Sequence, residues 1–159
     1  IKKWSGSEYI FWPNEGNRLG EKMANAFIRA FQKKFDQVLL MGTDIPDLPA
    51  SIIKEAFISL NENDAVIGPA VDGGYYLIGF NRKTFLPDTF KNIPWSTEIV
   101  MQKTLDILNI KKLKTHILPI WRDIDRYTHL MDFIESSHEK KTDAPDTISY
   151  LYSIGLRSF

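Results

Sequence analysis

Four short segments carry residues whose types and spacing can do chemistry. In Met41-Gly42-Thr43-Asp44-Ile45-Pro46-Asp47-Leu48 a carboxylate follows an apolar run by a few residues. A carboxylate just past the carboxyl end of a strand stands where open α/β sheets place their ligands. Magnesium suits Asp44 there, being a hard cation held by one or two carboxylates, with waters and substrate phosphates completing its octahedron. Stabilisation of a turn is the competing reading, and Asp47 is read as a helix cap ahead of Pro49. The second segment, Asp72-Gly73-Gly74, either lets backbone N–H groups approach a ligand closely or simply makes a hairpin turn. Trp95-Ser96-Thr97 is either a plain helix start, with Glu98 near the positive end of the dipole, or a helix N-terminus and hydroxyls facing phosphate or sugar. In Arg122-Asp123-Ile124-Asp125-Arg126, extended backbone would point Asp123 and Asp125 the same way. One of them could then be a second metal carboxylate; a solvated loop with local arginine pairing is the alternative.

Strands ending at these segments are needed to bring them together. From Arg18 to Phe35, residues Leu19, Met23, Ala26, Phe27, Ala30 and Phe31 share one helical face. Gln37 to Gly42 is apolar without alternation and reads as a central strand covered on both faces. Asp47 and Pro49 open a second helix bearing Ile52, Ile53, Ala56, Phe57 and Leu60, and Ala65 to Gly68 reads as a second buried strand. Strand, helix, strand predicts a right-handed crossover between neighbouring parallel strands. A tight reversal at Asp72-Gly73-Gly74 leads into the β-formers Tyr75 to Phe80. Ser96 is the predicted cap of a helix carrying Val100, Met101, Thr104, Leu105 and Leu108. A strand over Leu113 to Leu118, a loop from Trp121 to Arg126 and a helix with Leu130, Phe133 and Ile134 follow. A polar stretch from Glu139 to Asp146 then precedes a short docked helix within Ile148 to Leu156.

Composition excludes several classes. The 159 residues, 43% apolar and 13% aromatic, suffice for one domain with a core that needs no staples. Without cysteine there is no disulfide, thiolate zinc site or cysteine nucleophile. Twenty basic residues balance twenty acidic ones, which argues against binding to nucleic acid or an anionic membrane surface. No apolar run reaches the ~18 residues of a membrane span, and the start of the chain lacks the apolar centre of a signal peptide, so the cytoplasm is the default location. Neither the Gly-Lys-Ser/Thr phosphate loop nor a dinucleotide fingerprint after a strand is present. The three histidines, His116, His129 and His138, lack the spacing of a zinc site or catalytic triad. The chain opens at Ile1 and is read as the later part of a longer protein.

Gly42-Thr-Asp-Ile-Pro-Asp-Leu48, Gly68-Pro-Ala-Val-Asp-Gly-Gly-Tyr-Tyr-Leu-Ile-Gly79, Ile93-Pro-Trp-Ser-Thr97 and Arg122-Asp-Ile-Asp125, in this order, resemble a bacterial family. It is the radical-SAM/selenodomain-associated transferases, provisionally assigned as glycosyltransferases, some of arsenosugar biosynthesis, within the nucleotide-diphospho-sugar transferase superfamily. The resemblance runs from about Gly16 to Leu130. It implies a three-layer α/β/α sandwich of glycosyltransferase-A type, with a mostly parallel mixed sheet, forming one domain over residues 1–159. By position, Asp44 matches the strand-end metal aspartate and Asp125 the late aspartate that completes the metal site, with Mg²⁺ or Mn²⁺ as cofactor. Asp72, Gly73 and Gly74 match the loop lining the substrate side, and Trp95, Ser96 and Thr97 match a further family motif. Two departures stand out: nothing before Gly16 supplies the family's first strand and Gly-rich basic phosphate loop, and Arg18 replaces an acidic residue before Leu-Gly-Glu.

The expected function is a metal-dependent transferase acting on a nucleotide-sugar or nucleoside triphosphate and a small-molecule acceptor, by glycosyl or nucleotidyl transfer. Asp44 and Asp125 are its expected catalytic residues. A binding or scaffold protein that keeps the fold without catalysis is the alternative. An aspartate-dependent phosphatase is disfavoured, since Asp44-Ile-Pro-Asp47 lacks the Asp-x-Asp spacing.

Overall fold

The computed structural model describes residues 9–139 and 144–156. Its elements run α1 (Leu19–Gln32), β1 (Gln37–Met41), α2 (Ala50–Ser59), β2 (Ala65–Pro69), β3 (Tyr75–Asn81), a 3₁₀ turn (Pro87–Phe90), α3 (Val100–Ile110), β4 (Thr115–Ile117), α4 (Tyr127–Glu139) and α5 (Pro145–Ser153). Periodicity located each helix to within a few residues. Both expected caps are wrong. Pro49 itself occupies the N-cap of α2 with no side-chain cap bond, and Asp47, two residues ahead of it, accepts from the Trp121 indole instead. The N-cap of α3 is Ile99, since Ser96 turns into the left-handed region at φ 64° and the chain needs three more residues before it winds.

The sheet order is β1-β3-β2-β4. β3 runs antiparallel to both β1 and β2, while β2 and β4 are parallel. The sheet is therefore mixed but not mostly parallel. β1 lies at one edge of the sheet among the described residues, not in its centre, and is not the neighbour of β2. The antiparallel pairings and the separation of β1 from β2 have one cause: the hairpin at Asp72-Gly73-Gly74 folds β3 back into the space between the two strands that the crossover argument had placed side by side.

A β-bulge interrupts the hairpin: Gly68 pairs with Leu77 and Pro69 with Tyr75, leaving Tyr76 as the extra residue. The inserted residue shifts the alternation of everything before it. Tyr76 therefore joins Leu77 on the face covered by α2, and Tyr75 joins Ile78 and Phe80 on the opposite face.

Apolar residues of the sheet divide between two clusters. On one side Val66, Tyr76 and Leu77 pack with Ala56 and Leu60, and with Ile45 and Leu48 from the segment after β1. On the other, Ile67, Ile78 and Phe80 meet Phe27 of α1 and Leu108 of α3. The Phe27 ring, fully buried, lies 5.3, 5.1 and 5.8 Å from the ring centres of Phe80, Phe85 and Phe90. A third cluster joins Phe133 and Ile134 of α4 to Ile148 and Leu151 of α5, and Ile124 packs against it. The polar stretch from Glu139 lies partly outside the described residues, as does the side chain of His138.

Candidate active site

Asp44 reaches its place through a short, well-anchored turn. The Gly42 N–H donates to the Tyr76 carbonyl at 3.0 Å, extending the β1–β3 ladder by one bond beyond Met41. A Cβ on Gly42 would lie 2.5 Å from Asp44 Oδ1, so a side chain at this position would displace the carboxylate. Two residues on either side of Pro46 then fasten the turn to the core, with Ile45 and Leu48 both buried.

The second carboxylate segment is laid alongside by main-chain bonds. Leu118 N–H donates to Ile67 O at 2.9 Å, Trp121 N–H to Pro69 O at 3.0 Å, and Val71 N–H to Trp121 O at 3.1 Å, continuing the parallel register of β2 and β4 beyond both strands. Ile124 N–H then donates to Asp44 O at 2.8 Å. Ile124 packs against the α4–α5 cluster, and Asp123 and Asp125 both face Asp44, as side chains alternating along extended backbone must.

One carboxylate oxygen from each of Asp44, Asp123 and Asp125 lies within 4.8 Å of the others. Two oxygens on one Mg²⁺ at ~2.1 Å are at most ~4.2 Å apart, a spacing that small side-chain rotations reach from here. Asp44 and Asp125 are exposed, while Asp123 is half-buried. Burial, and then the charges of Asp125, Asp72 and Asp44, push the Asp123 carboxyl above the usual aspartate range, against a lowering backbone hydrogen bond. Like charges gathered beside a partly desolvated carboxyl suit a bound divalent cation.

The three aspartates line a cleft of about 570 Å³. Asp72 and Gly74, and Trp95, Ser96 and Thr97, line it as well. Gly73 does not: at φ +88° it turns away, and a Cβ there would run into the Glu98 backbone. Its carbonyl accepts from Met101 N–H at 3.0 Å, fastening the hairpin to the start of α3. The turn is thus an ordinary hairpin reversal, in which Gly74 N–H donates to Asp72 Oδ1 at 2.8 Å, and it also contributes to the cleft. Thr97 Oγ1 donates to Pro94 O at 2.6 Å, while Ser96 is exposed. The Trp95 and Tyr75 rings meet edge to face with centres 6.3 Å apart.

Sequence reasoning had not singled out two residues of this cleft. Lys22 of α1 is half-buried and is the only cationic side chain among the described residues that line the cleft. Its helical spacing puts it three residues beyond Leu19, on the margin of the apolar face, which is the one signal that pointed to it. Tyr75 arrives through the bulge, which no residue pattern announces. His116, by contrast, bonds Glu55 at 3.0 Å on the α2 side, away from these groups.

No curated protein matches the chain. A solved structure from Desulfovibrio desulfuricans G20, described provisionally as a nucleotide-diphospho-sugar transferase, is 38% identical and superposes with a TM-score of 0.90 over 96% of this chain. The chain spans 66% of that relative's length. Among the described residues no helix is long and apolar enough to cross a membrane. Residues 1–97 match the family described as "Uncharacterized protein conserved in bacteria (DUF2064)", and the chain belongs to that family.

Proposed function

We propose that this chain carries the cation-binding site of a metal-dependent transferase that uses a nucleotide-sugar or nucleoside triphosphate, with Mg²⁺ or Mn²⁺ held by Asp44, Asp123 and Asp125. The observation that carries the reading is the convergence of those carboxylates, from segments far apart in sequence, in the wall of one cleft. The likeness to the D. desulfuricans protein supports the donor class. The three-layer glycosyltransferase-A arrangement, and kinship with the transferases associated with radical-SAM proteins, belong to the same proposal and rest on the four sequence motifs.

A bound divalent cation would supply charge neutralisation on the diphosphate, as it leaves in glycosyl transfer or as the α-phosphate is attacked in nucleotidyl transfer. The protein's own groups do the rest. Lys22 offers its ammonium to phosphate oxygens that the carboxylates alone would repel. Tyr75 and Trp95 give the cleft an apolar wall against which a sugar or base face can rest. Ser96 and Thr97, exposed at the rim, present hydroxyls to a polar acceptor.

A thermal-shift screen of nucleoside triphosphates and nucleotide-sugars, with and without Mn²⁺, tests the reading. A ligand at 100 times its Kd stabilises the folded state by ~2.7 kcal/mol. That corresponds to a rise of roughly 5–10 °C for a chain of this size. The rise should depend on Mn²⁺ and disappear in Asp44→Asn, with the metal-free melting temperature of that variant no lower than that of the parent. No cation-dependent rise with any nucleotide would favour the non-catalytic binding protein.

A further inference from the structure

We infer that Trp121 and Asp47 form a positioning pair that sets the spacing of the metal carboxylates without either residue touching the cation or the substrate. The inference rests on the metal reading above and goes one layer outward from it. The Trp121 indole Nε1–H donates to Asp47 Oδ1 at 3.1 Å across 74 residues of sequence. Asp47 belongs to the turn that carries Asp44, and Trp121 to the segment that carries Asp123 and Asp125. Neither side chain lines the cleft.

Three further observations show why this bond has leverage. Both segments rest on the same apolar cluster, where Ile45, Leu48 and Leu118 are buried and the Trp121 ring packs beside them. The Trp121 main chain is fixed on both sides, its N–H to Pro69 O and its carbonyl to Val71 N–H. Among the described residues one main-chain bond joins the two carboxylate-bearing segments directly, Ile124 N–H to Asp44 O. That bond fixes the two segments at one point, and the indole–carboxylate bond adds a side-chain link at a second, beside the buried Ile45 and Leu48. A hydrogen bond to a charged acceptor is among the stronger ones a half-buried site can make.

Residues that orient metal ligands from outside typically change metal affinity 10- to 100-fold when removed. Mn²⁺ titration of this chain by calorimetry or electron paramagnetic resonance, alongside melting of the metal-free protein, tests the assignment. Asp47→Ala and Trp121→Phe should each weaken Mn²⁺ binding roughly tenfold, and the double variant no more than either alone, because one bond can be lost only once. Asp47→Asn keeps an oxygen acceptor and should stay within about threefold of the parent. Parent-like Mn²⁺ affinity in folded Asp47→Ala, or equal loss in Asp47→Asn and Asp47→Ala, overturns the inference, even if metal-free melting drops, since a merely structural bond would move melting alone. Should the variants not fold, indole N–H exchange of Trp121 in the parent serves instead: Mn²⁺ should slow it, and an unchanged rate refutes the coupling. A parent that binds no Mn²⁺ at all overturns the metal reading itself, a result separable from parent binding with insensitive variants.

Discussion

Removing one charge from the aspartate trio should stabilise the metal-free protein and abolish its response to the cation. Asp123→Asn is the informative change, because Asp123 is the half-buried member and its shape is preserved. At 4.8 Å two unit charges repel by ~0.9 kcal/mol in water and by ~3.5 kcal/mol at an effective dielectric constant of about 20. Asp44 and Asp125 are exposed, so solvent screening places each pair near the lower figure, and losing two pairs relieves about 1–2 kcal/mol. For a domain of this size that is a rise in melting temperature of roughly 2–8 °C without metal. With Mn²⁺ in excess the order should reverse, since only the parent gains binding energy. The pH dependence follows from linkage. Asp123 titrates above its unfolded value, so the native state holds the extra proton through the window between the two values, and stability falls as pH rises through that window. Asp123→Asn should lack this fall. Differential scanning fluorimetry of parent and variant across acidic pH, with EDTA or Mn²⁺, reads all of it. If Asp123→Asn melts no higher than the parent in EDTA, or responds equally to Mn²⁺, the three carboxylates do not share a site.

Two glycine substitutions should separate fold from site. Gly73→Ala puts a Cβ against the Glu98 backbone at a positive φ and should cost about 2–3 kcal/mol or prevent folding, seen as a large loss in denaturant midpoint. Gly42→Ala meets only the movable Asp44 carboxylate, so it should melt within a few degrees of the parent but bind Mn²⁺ at least tenfold more weakly by calorimetry. At alkaline pH, burial and then the Glu55 charge push the Tyr76 hydroxyl up to about 12, and burial raises Tyr75 as well. The native state therefore keeps protons that the unfolded chain loses, and stability should fall between about pH 10 and pH 12. Tyr76→Phe, which also surrenders the 3.0 Å bond to Pro119 O, should show a shallower alkaline decline in chemical denaturation.

Helical faces were largely plain in the sequence because apolar spacing reports burial: Phe27, Ala56 and Leu108 stand where periodicity put them, whereas Leu19 and Phe57, counted on the same faces, are exposed. Strand order was not. The crossover rule treats β1 and β2 as neighbours, and nothing in Asp72-Gly73-Gly74 states on which side of β2 the returning strand will pair. Caps failed for a related reason. Asp47 and Ser96 are good capping residues by type, but a long-range indole in one case and a left-handed turn in the other took precedence over local chemistry. For the candidate site, alternation along Asp123-Ile124-Asp125 announced that two carboxylates would share a direction. Choosing Asp125 as the partner of Asp44 followed the resemblance, whereas the structure brings both of them beside Asp44. Lys22 and Tyr75 were hidden, one behind an ordinary amphipathic pattern and the other behind a bulge.

The segment from Leu118 to Asp125 is attached to its neighbours chiefly through peptide groups. Such groups are common to every residue but proline, so substitutions at its outward-facing positions, such as Ile120, leave the attachment intact. Deleting or inserting a single residue is a different matter, because it would send Asp123 and Asp125 toward the α4–α5 cluster and swing the Ile124 methyls into the place of the carboxylates. Evolution or protein engineering can therefore rewrite the outward-facing positions of this stretch, but its residue count has to stay fixed, together with Leu118, Trp121, Asp123, Ile124 and Asp125.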